Sequence, residues 1–230
     1  MRVLPGTISV VALLALSLSR PCHAQIVAPL LEKQAFEVGY AYKWFDRDVP
    51  SPQLEAEWDV GSFFARFGAL DWLTLAAEGG LWGVEAADGT NQDYSRWVVG
   101  GAASARLHRA KRWNLTATIT YNEVYDHDKS KNRSDKRTRG WNAGVLAGTT
   151  FAPAGQRLDL WAGPMFVDDL VESYAWGVDD PLAYNADTKL GGAAGAYAVL
   201  FDYISGFAYV LYADHPQWRV GVSLRTRGGE

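Results

Sequence analysis

The stretch "QWRVGVSLRTR", residues 217–227, alternates without a break. Trp218, Val220, Val222 and Leu224 are apolar, while Gln217, Arg219, Gly221, Ser223 and Arg225 are polar, charged or lack a side chain. Period-two alternation is the pattern of a β-strand with one apolar and one wet face. In a water-soluble protein the Trp/Val/Leu face would be the core. In a barrel that crosses a membrane the same face meets lipid, and the arginines look into the bore.

The pattern recurs along the chain. Residues 35–45 set Phe36, Val38, Tyr40, Tyr42 and Trp44 against Glu37, Gly39, Ala41 and Lys43. Residues 53–65 set Leu54, Ala56, Trp58 and Val60 against Glu55, Glu57, Asp59 and Gly61. Residues 95–107 set Trp97, Val99, Ala103, Ala105 and Leu107 against Arg96, Gly100, Ser104 and Arg106, and residues 113–125 alternate in the same way. Residues 141–151 are similar but richer in glycine, and segments near 73–84, 158–174, 189–201 and 206–214 alternate less cleanly without a helical period. The expectation is ten strands. Short turns at 68–71, 108–112, 152–157 and 202–205 alternate with longer polar loops at 46–52, 85–94, 126–139 and 177–189, as in a meander of hairpins.

The first 24 residues differ from the rest. A short apolar run, "ISVVALLALSLS" (8–19), precedes "CHA" (22–24), which has the small residues of a signal-peptide cleavage site. The expected organisation is a signal peptide over 1–24, a short periplasmic leader over 25–34 and one barrel domain over 35–230. Beyond Cys22 the chain has no cysteine, so disulfides cannot hold it together. Without Arg2 and Arg20 it holds 20 basic and 26 acidic side chains, a net charge of about −6, which disfavours nucleic acid as a partner.

Length decides the orientation. Segments of about eleven residues match the ~9–11 a tilted strand needs to cross a bilayer, whereas strands of globular proteins average about five or six. Aromatic residues are abundant, with 10 Trp, 11 Tyr and 9 Phe. Trp72 and Trp113 follow short turns, while Trp44, Tyr125 and Tyr174 lie near long loops, where interfacial girdles are expected. The expected lumen charges are Glu37, Glu55, Glu57, Asp59, Glu78, Arg96, Arg106, Arg219 and Arg225, acids and arginines that can pair across a narrow bore.

The signal sequence and hairpin series resemble the small outer-membrane β-barrel proteins of Gram-negative bacteria. The resemblance implies an all-β fold, a single antiparallel up-and-down transmembrane barrel of ten strands (eight as the smaller alternative), placed in the outer membrane. It also implies contact with outer-membrane lipid, lipopolysaccharide and the barrel-assembly machinery. Such proteins end in a recognition strand, which Arg219, Gly221 and Leu224 fit. Thr226 stands where a hydrophobic residue is expected, and "RGGE" follows.

Chemistry is sparse. Asp126 and His127 in one long loop, and Asp214 and His215 in the last, are weak candidates for a general-base pair, a loose likeness to ten-stranded outer-membrane proteases. Lys129, Lys131, Arg133, Lys136, Arg137 and Arg139 form a basic loop suited to anionic surface groups. Neither a metal site nor a cofactor is expected. Three readings follow: an integral outer-membrane barrel with a structural, surface-interaction or narrow-pore role; an outer-membrane hydrolase with a rim Asp/His site; and a soluble periplasmic β-barrel binder.

Overall fold

The computed structural model describes residues 29–48, 55–86, 96–125, 137–152, 156–173, 182–185, 189–213 and 216–228. Every regular element among them is a strand: β1 (Phe36–Asp48), β2 (Glu55–Leu70), β3 (Leu73–Ala86), β4 (Arg96–Arg109), β5 (Asn114–Tyr125), β6 (Arg137–Phe151), β7 (Arg157–Ser173), β8 (Leu182–Asn185), β9 (Lys189–Phe201), β10 (Ile204–Tyr212) and β11 (Pro216–Arg225). Sequential strands pair antiparallel from β1 to β7, β7 continues to β9, and β9 pairs with β10 and β10 with β11. Pairing of β11 with β1, from Glu37 opposite Arg225 to Phe45 opposite Gln217, closes the ring. The ring has ten strands. The loop expected over 177–189 contains β8, a four-residue strand that extends the edge of β7 at 170–173 and stands outside the ring.

Closure leaves the ring with no free strand edge, and each ladder satisfies the backbone amides that lipid could not. Short connections are tight. Asp71–Trp72 joins β2 to β3 and Asp202–Tyr203 joins β9 to β10, each two residues where sequence suggested four. Register shifts accompany three short-turn hairpins, at Gly68/Leu70, Arg106/His108 and Ile204/Ser205, as is common for bulges at barrel rims. In the interior of β7, Pro164 has no amide to donate, and the β6–β7 pairing is interrupted there, between the Gly144–Met165 and Ala147–Ala162 pairs.

The exterior is apolar, as the 217–227 alternation required of a membrane barrel, and the interior is packed with both polar and large apolar side chains. Trp218 and Val222 are 46% and 61% exposed on the outside, whereas Arg219 is 1% exposed inside. Tyr40, Tyr42, Trp97, Trp113, Leu190 and Phe201 are also exposed outward.

On β2 the phase is the reverse of the expected one. Val60, Ser62, Phe64 and Arg66 are buried inward, and Phe63 is 71% exposed. Asp59 lies opposite the outward Trp44, and its carboxylate accepts a hydrogen bond from the outward Tyr42 hydroxyl at 3.0 Å. Asp59 is therefore on the outer wall and not in the lumen. Glu57 and Glu55 share its parity, in register with Asp46 and Asp48 of β1. The reason lies in the sequence. Apolar residues occupy even positions up to Val60 and odd positions from Phe63 onward, yet the β1–β2 ladder runs unbroken through the change. One phase must yield. The Phe63–Phe67 half keeps its apolar face outward, while the acid-bearing half lies toward the long-loop end of a 16-residue strand, longer than a bilayer crossing requires.

Candidate functional site: the filled bore and its short-turn mouth

Inside the barrel, two charged clusters cross-link strands. Glu37 of β1 is fully buried. It pairs with Arg66 of β2 at 2.8 Å and accepts hydrogen bonds from the hydroxyls of Ser205 (3.0 Å), Tyr197 (3.4 Å) and Ser223. The Arg66 guanidinium also lies 5.8 Å from the Tyr197 ring centroid. Deeper in the bore, Arg219 of β11 meets Glu78 of β3 at 2.7 Å and Ser62 at 3.3 Å, and Ser62 donates to Glu78. A buried charge is tolerable only with this kind of partnering.

Between the polar clusters lies an aromatic wedge. Phe64 and Phe207 meet edge to face at 5.6 Å, and Tyr209 lies 5.6 Å from Trp161 and 6.2 Å from Phe207. Met165, Leu211 and Tyr197 belong to the same cluster, and Ala76 of β3 and Ala102 of β4 pack against it from the far wall. Large side chains from β2, β6, β7, β9 and β10 thus fill the bore against an arc of β3 and β4 that carries the small Ala76 and Ala102. From β4 to β6 the wall also carries polar pairs: Ser104 and Thr118 hydrogen-bond at 3.0 Å, and the Asn142 amide donates to Thr120 at 3.3 Å. Interdigitation of large and small side chains is how a small barrel loses its lumen.

A second closure sits at the end bearing the short turns. Residues 29–35 do not continue β1 but turn across the mouth, with Leu30, Leu31 and Ala35 buried. The Leu31 amide donates to Thr74 Oγ1 at 2.9 Å, the Gln34 amide to the Gly68 carbonyl at 2.7 Å, and the Gly68 amide to the Ala35 carbonyl at 2.9 Å. Arg66 also donates to the Pro29 carbonyl. Glu32 reaches Arg157 of β7 at 3.5 Å and Arg225 of β11 at 3.6 Å, so the segment is tied to the rim at β7 and β11 as well as at β2 and β3. Gly68 permits this approach, because a Cβ there would fall 1.9 Å from the Glu32 carbonyl oxygen. Gln34 adopts φ 63°, a left-handed conformation uncommon outside glycine, at the bend.

Of the lumen charges expected from sequence, Glu37, Glu78, Arg219 and Arg225 are buried inside, and Arg106 is half-buried at the short-turn mouth. Arg96 opens β4 opposite Trp82, at the parity of the inward Val98. Asp59, as shown above, is outside. Arg66, Ser62, Ser205 and Ser223 were missed. Arg66 was legible as the charged alternate within "FARF", had the later phase of β2 been followed. Asp126, His127, Asp214, His215, Lys129, Lys131, Arg133, Lys136 and Tyr174 lie outside the described residues. Arg137 and Arg139 open β6, opposite Tyr125 and Glu123.

No protein-family model matches the chain, and no curated protein is similar to it. Solved structures do match. An outer-membrane channel from Pseudomonas putida F1 aligns with a TM-score of 0.51 at 12% identity, over 87% of this chain and 100% of that one. The fold is that of an outer-membrane β-barrel. Two weaker likenesses are the translocator domain of the autotransporter NalP from Neisseria meningitidis (TM-score 0.41, 13% identity, 96% of each chain) and Neisserial surface protein A (TM-score 0.36, 13% identity, 85% of this chain and 99% of that one).

Proposed function

We propose that this protein is an integral outer-membrane barrel of a Gram-negative bacterium, exported by a cleaved signal, whose bore is closed at rest and whose role is structural or surface-interacting. The observation that carries this reading is the packing of the Phe64–Phe207–Tyr209 wedge against Ala76 and Ala102 on the far wall, flanked by the Arg219–Glu78 pair. The wedge and the leader give two closures in series. The exterior supports a lipid environment, since a soluble binder would have to hold Phe63 and Leu190, 71% and 77% exposed, in water.

In this setting the outer wall contacts lipid, the barrel-assembly machinery inserts the chain, and the basic run from Lys129 to Arg139 is suited to phosphate groups of lipopolysaccharide at the long-loop end. The narrow-pore reading requires the wedge and the leader to move. The rim-hydrolase reading depends on Asp/His residues outside the described part of the chain.

Planar-bilayer recording of the refolded protein tests the proposal. Silence at moderate voltage is the expected result, and a steady ohmic current from the intact chain would overturn it.

A further inference from the structure

We propose that the short-turn mouth is a binding site for a small, multiply charged anion bearing phosphate or carboxylate groups. A cavity of about 780 Å³ opens there between the leader, the β4–β5 turn and the start of β7. Its walls carry Lys33, Arg106, Arg109, Lys111, Arg112 and Arg157. Glu32 and Asp71 are the acids on the same walls. Six of the chain's 22 basic side chains thus share one cavity with two of its 26 acidic ones, in a protein whose overall charge is negative. That inversion of sign concentrates positive potential in a concave space, with Arg106 and Arg157 half-buried and Lys33, Arg109, Lys111 and Arg112 exposed around them, the arrangement that attracts anions.

The cations are positioned by the fold. Arg106 and Arg109 are three residues apart and would point to opposite faces of a regular strand. The register shift between Arg106 and His108 removes that conflict: Arg106 lies opposite the inward Thr116, and Arg109 opposite Asn114, itself part of the cavity wall. His108 is left beside the exposed Trp113, with ring centroids 5.1 Å apart. Arg157 is already engaged, by Asp159 at 2.8 Å and Glu32 at 3.5 Å. Among the described residues, no ion pair or side-chain hydrogen bond holds the Arg106 guanidinium, which is half-buried and feels Arg109 and Arg157 more strongly than the acid Asp71. Planar guanidinium groups bind phosphate and carboxylate through paired hydrogen bonds, so an anion seated here would relieve repulsion and gain directed contacts together.

The test uses the full-length refolded protein in nanodiscs of zwitterionic phospholipid, titrated calorimetrically with inorganic pyrophosphate and with citrate. Saturable binding to at least one anion is expected, weakened about tenfold or more when Arg106→Gln is combined with Arg109→Gln, because charge-assisted contacts to a multiply charged ligand are lost. The control is Arg227→Gln, an exposed arginine outside the cavity that pairs with Asp202 at 2.6 Å; it should leave binding unchanged. Retained heat-modifiable gel mobility shows that each variant is folded. No saturable binding of either anion overturns the site. Equal weakening by Arg227→Gln would reduce it to diffuse surface charge and overturn it as well. Loss of soluble-anion binding only in discs containing anionic phospholipid would identify a lipid headgroup as the competing source of the same chemistry. The titration does not depend on conductance, so its failure and that of a closed bore are separately visible.

Discussion

Arg219 and Glu78 meet at 2.7 Å inside the barrel, their side chains each 1% exposed, although 141 residues separate them in the chain. The pair ties β11, next to the closing seam, to β3, two strands beyond β1. Removing one partner strands a buried charge. Glu78→Gln is expected to destabilise the barrel by about 3–5 kcal/mol, and replacing both residues by methionine to recover most of that loss. Urea unfolding in lipid vesicles, followed by tryptophan fluorescence, measures both. Equal losses in the single and double variants would show that the charges are not coupled.

The leader should respond to changes at two backbone positions. At Gly68 even a methyl group collides with the Glu32 carbonyl, so Gly68→Ala should loosen residues 29–35 from the mouth. At Gln34, glycine relieves the left-handed φ of 63° at a gain of up to about 1 kcal/mol, so Gln34→Gly should hold the leader more firmly. Limited trypsinolysis after Lys33 reads both, with faster cleavage expected in the first variant and slower in the second.

Outer-wall positions should differ with height. Val220, on the apolar outer face of β11, should lose about 2–4 kcal/mol as Val220→Arg if it lies near the bilayer midplane. Asp59→Asn, at the long-loop end of β2, should change stability by less than about 0.5 kcal/mol, as for a surface site. Unfolding free energies in vesicles test the pair. A large loss at Asp59 would restore it to the lumen.

The contrast between β11 and β2 explains what the sequence revealed. β11 keeps one phase throughout, so its faces and the closed-barrel fold were readable directly. β2 changes phase between Val60 and Phe63, and only pairing with Tyr40, Tyr42 and Trp44 decides which half governs. Alternation also shows that Glu37 and Arg219 face inward, but not that they meet Arg66 and Glu78. Partner choice depends on ring closure and stagger, which no local pattern carries. The leader left no trace in periodicity, because Pro29–Ala35 is held by amides and carbonyls together with Arg66 and Glu32, and the bulge that gathers Arg106 and Arg109 appears only in the ladder. Aromatic abundance misled in part: Phe64, Trp161, Tyr197, Phe207 and Tyr209 fill the bore rather than the girdles.

The outward orientation of the apolar face is tested most directly by nitroxide labels at Trp218→Cys and Val222→Cys, with Asp202→Cys in the exposed turn as the aqueous reference. Relaxation by lipid-partitioning oxygen is compared with relaxation by a water-soluble nickel chelate in reconstituted vesicles. High oxygen and low nickel accessibility are expected at 218 and 222, with the reverse at 202. Nickel accessibility at 222 equal to that at 202, or a label at 222 shielded from both reagents, would contradict a lipid-facing outer wall.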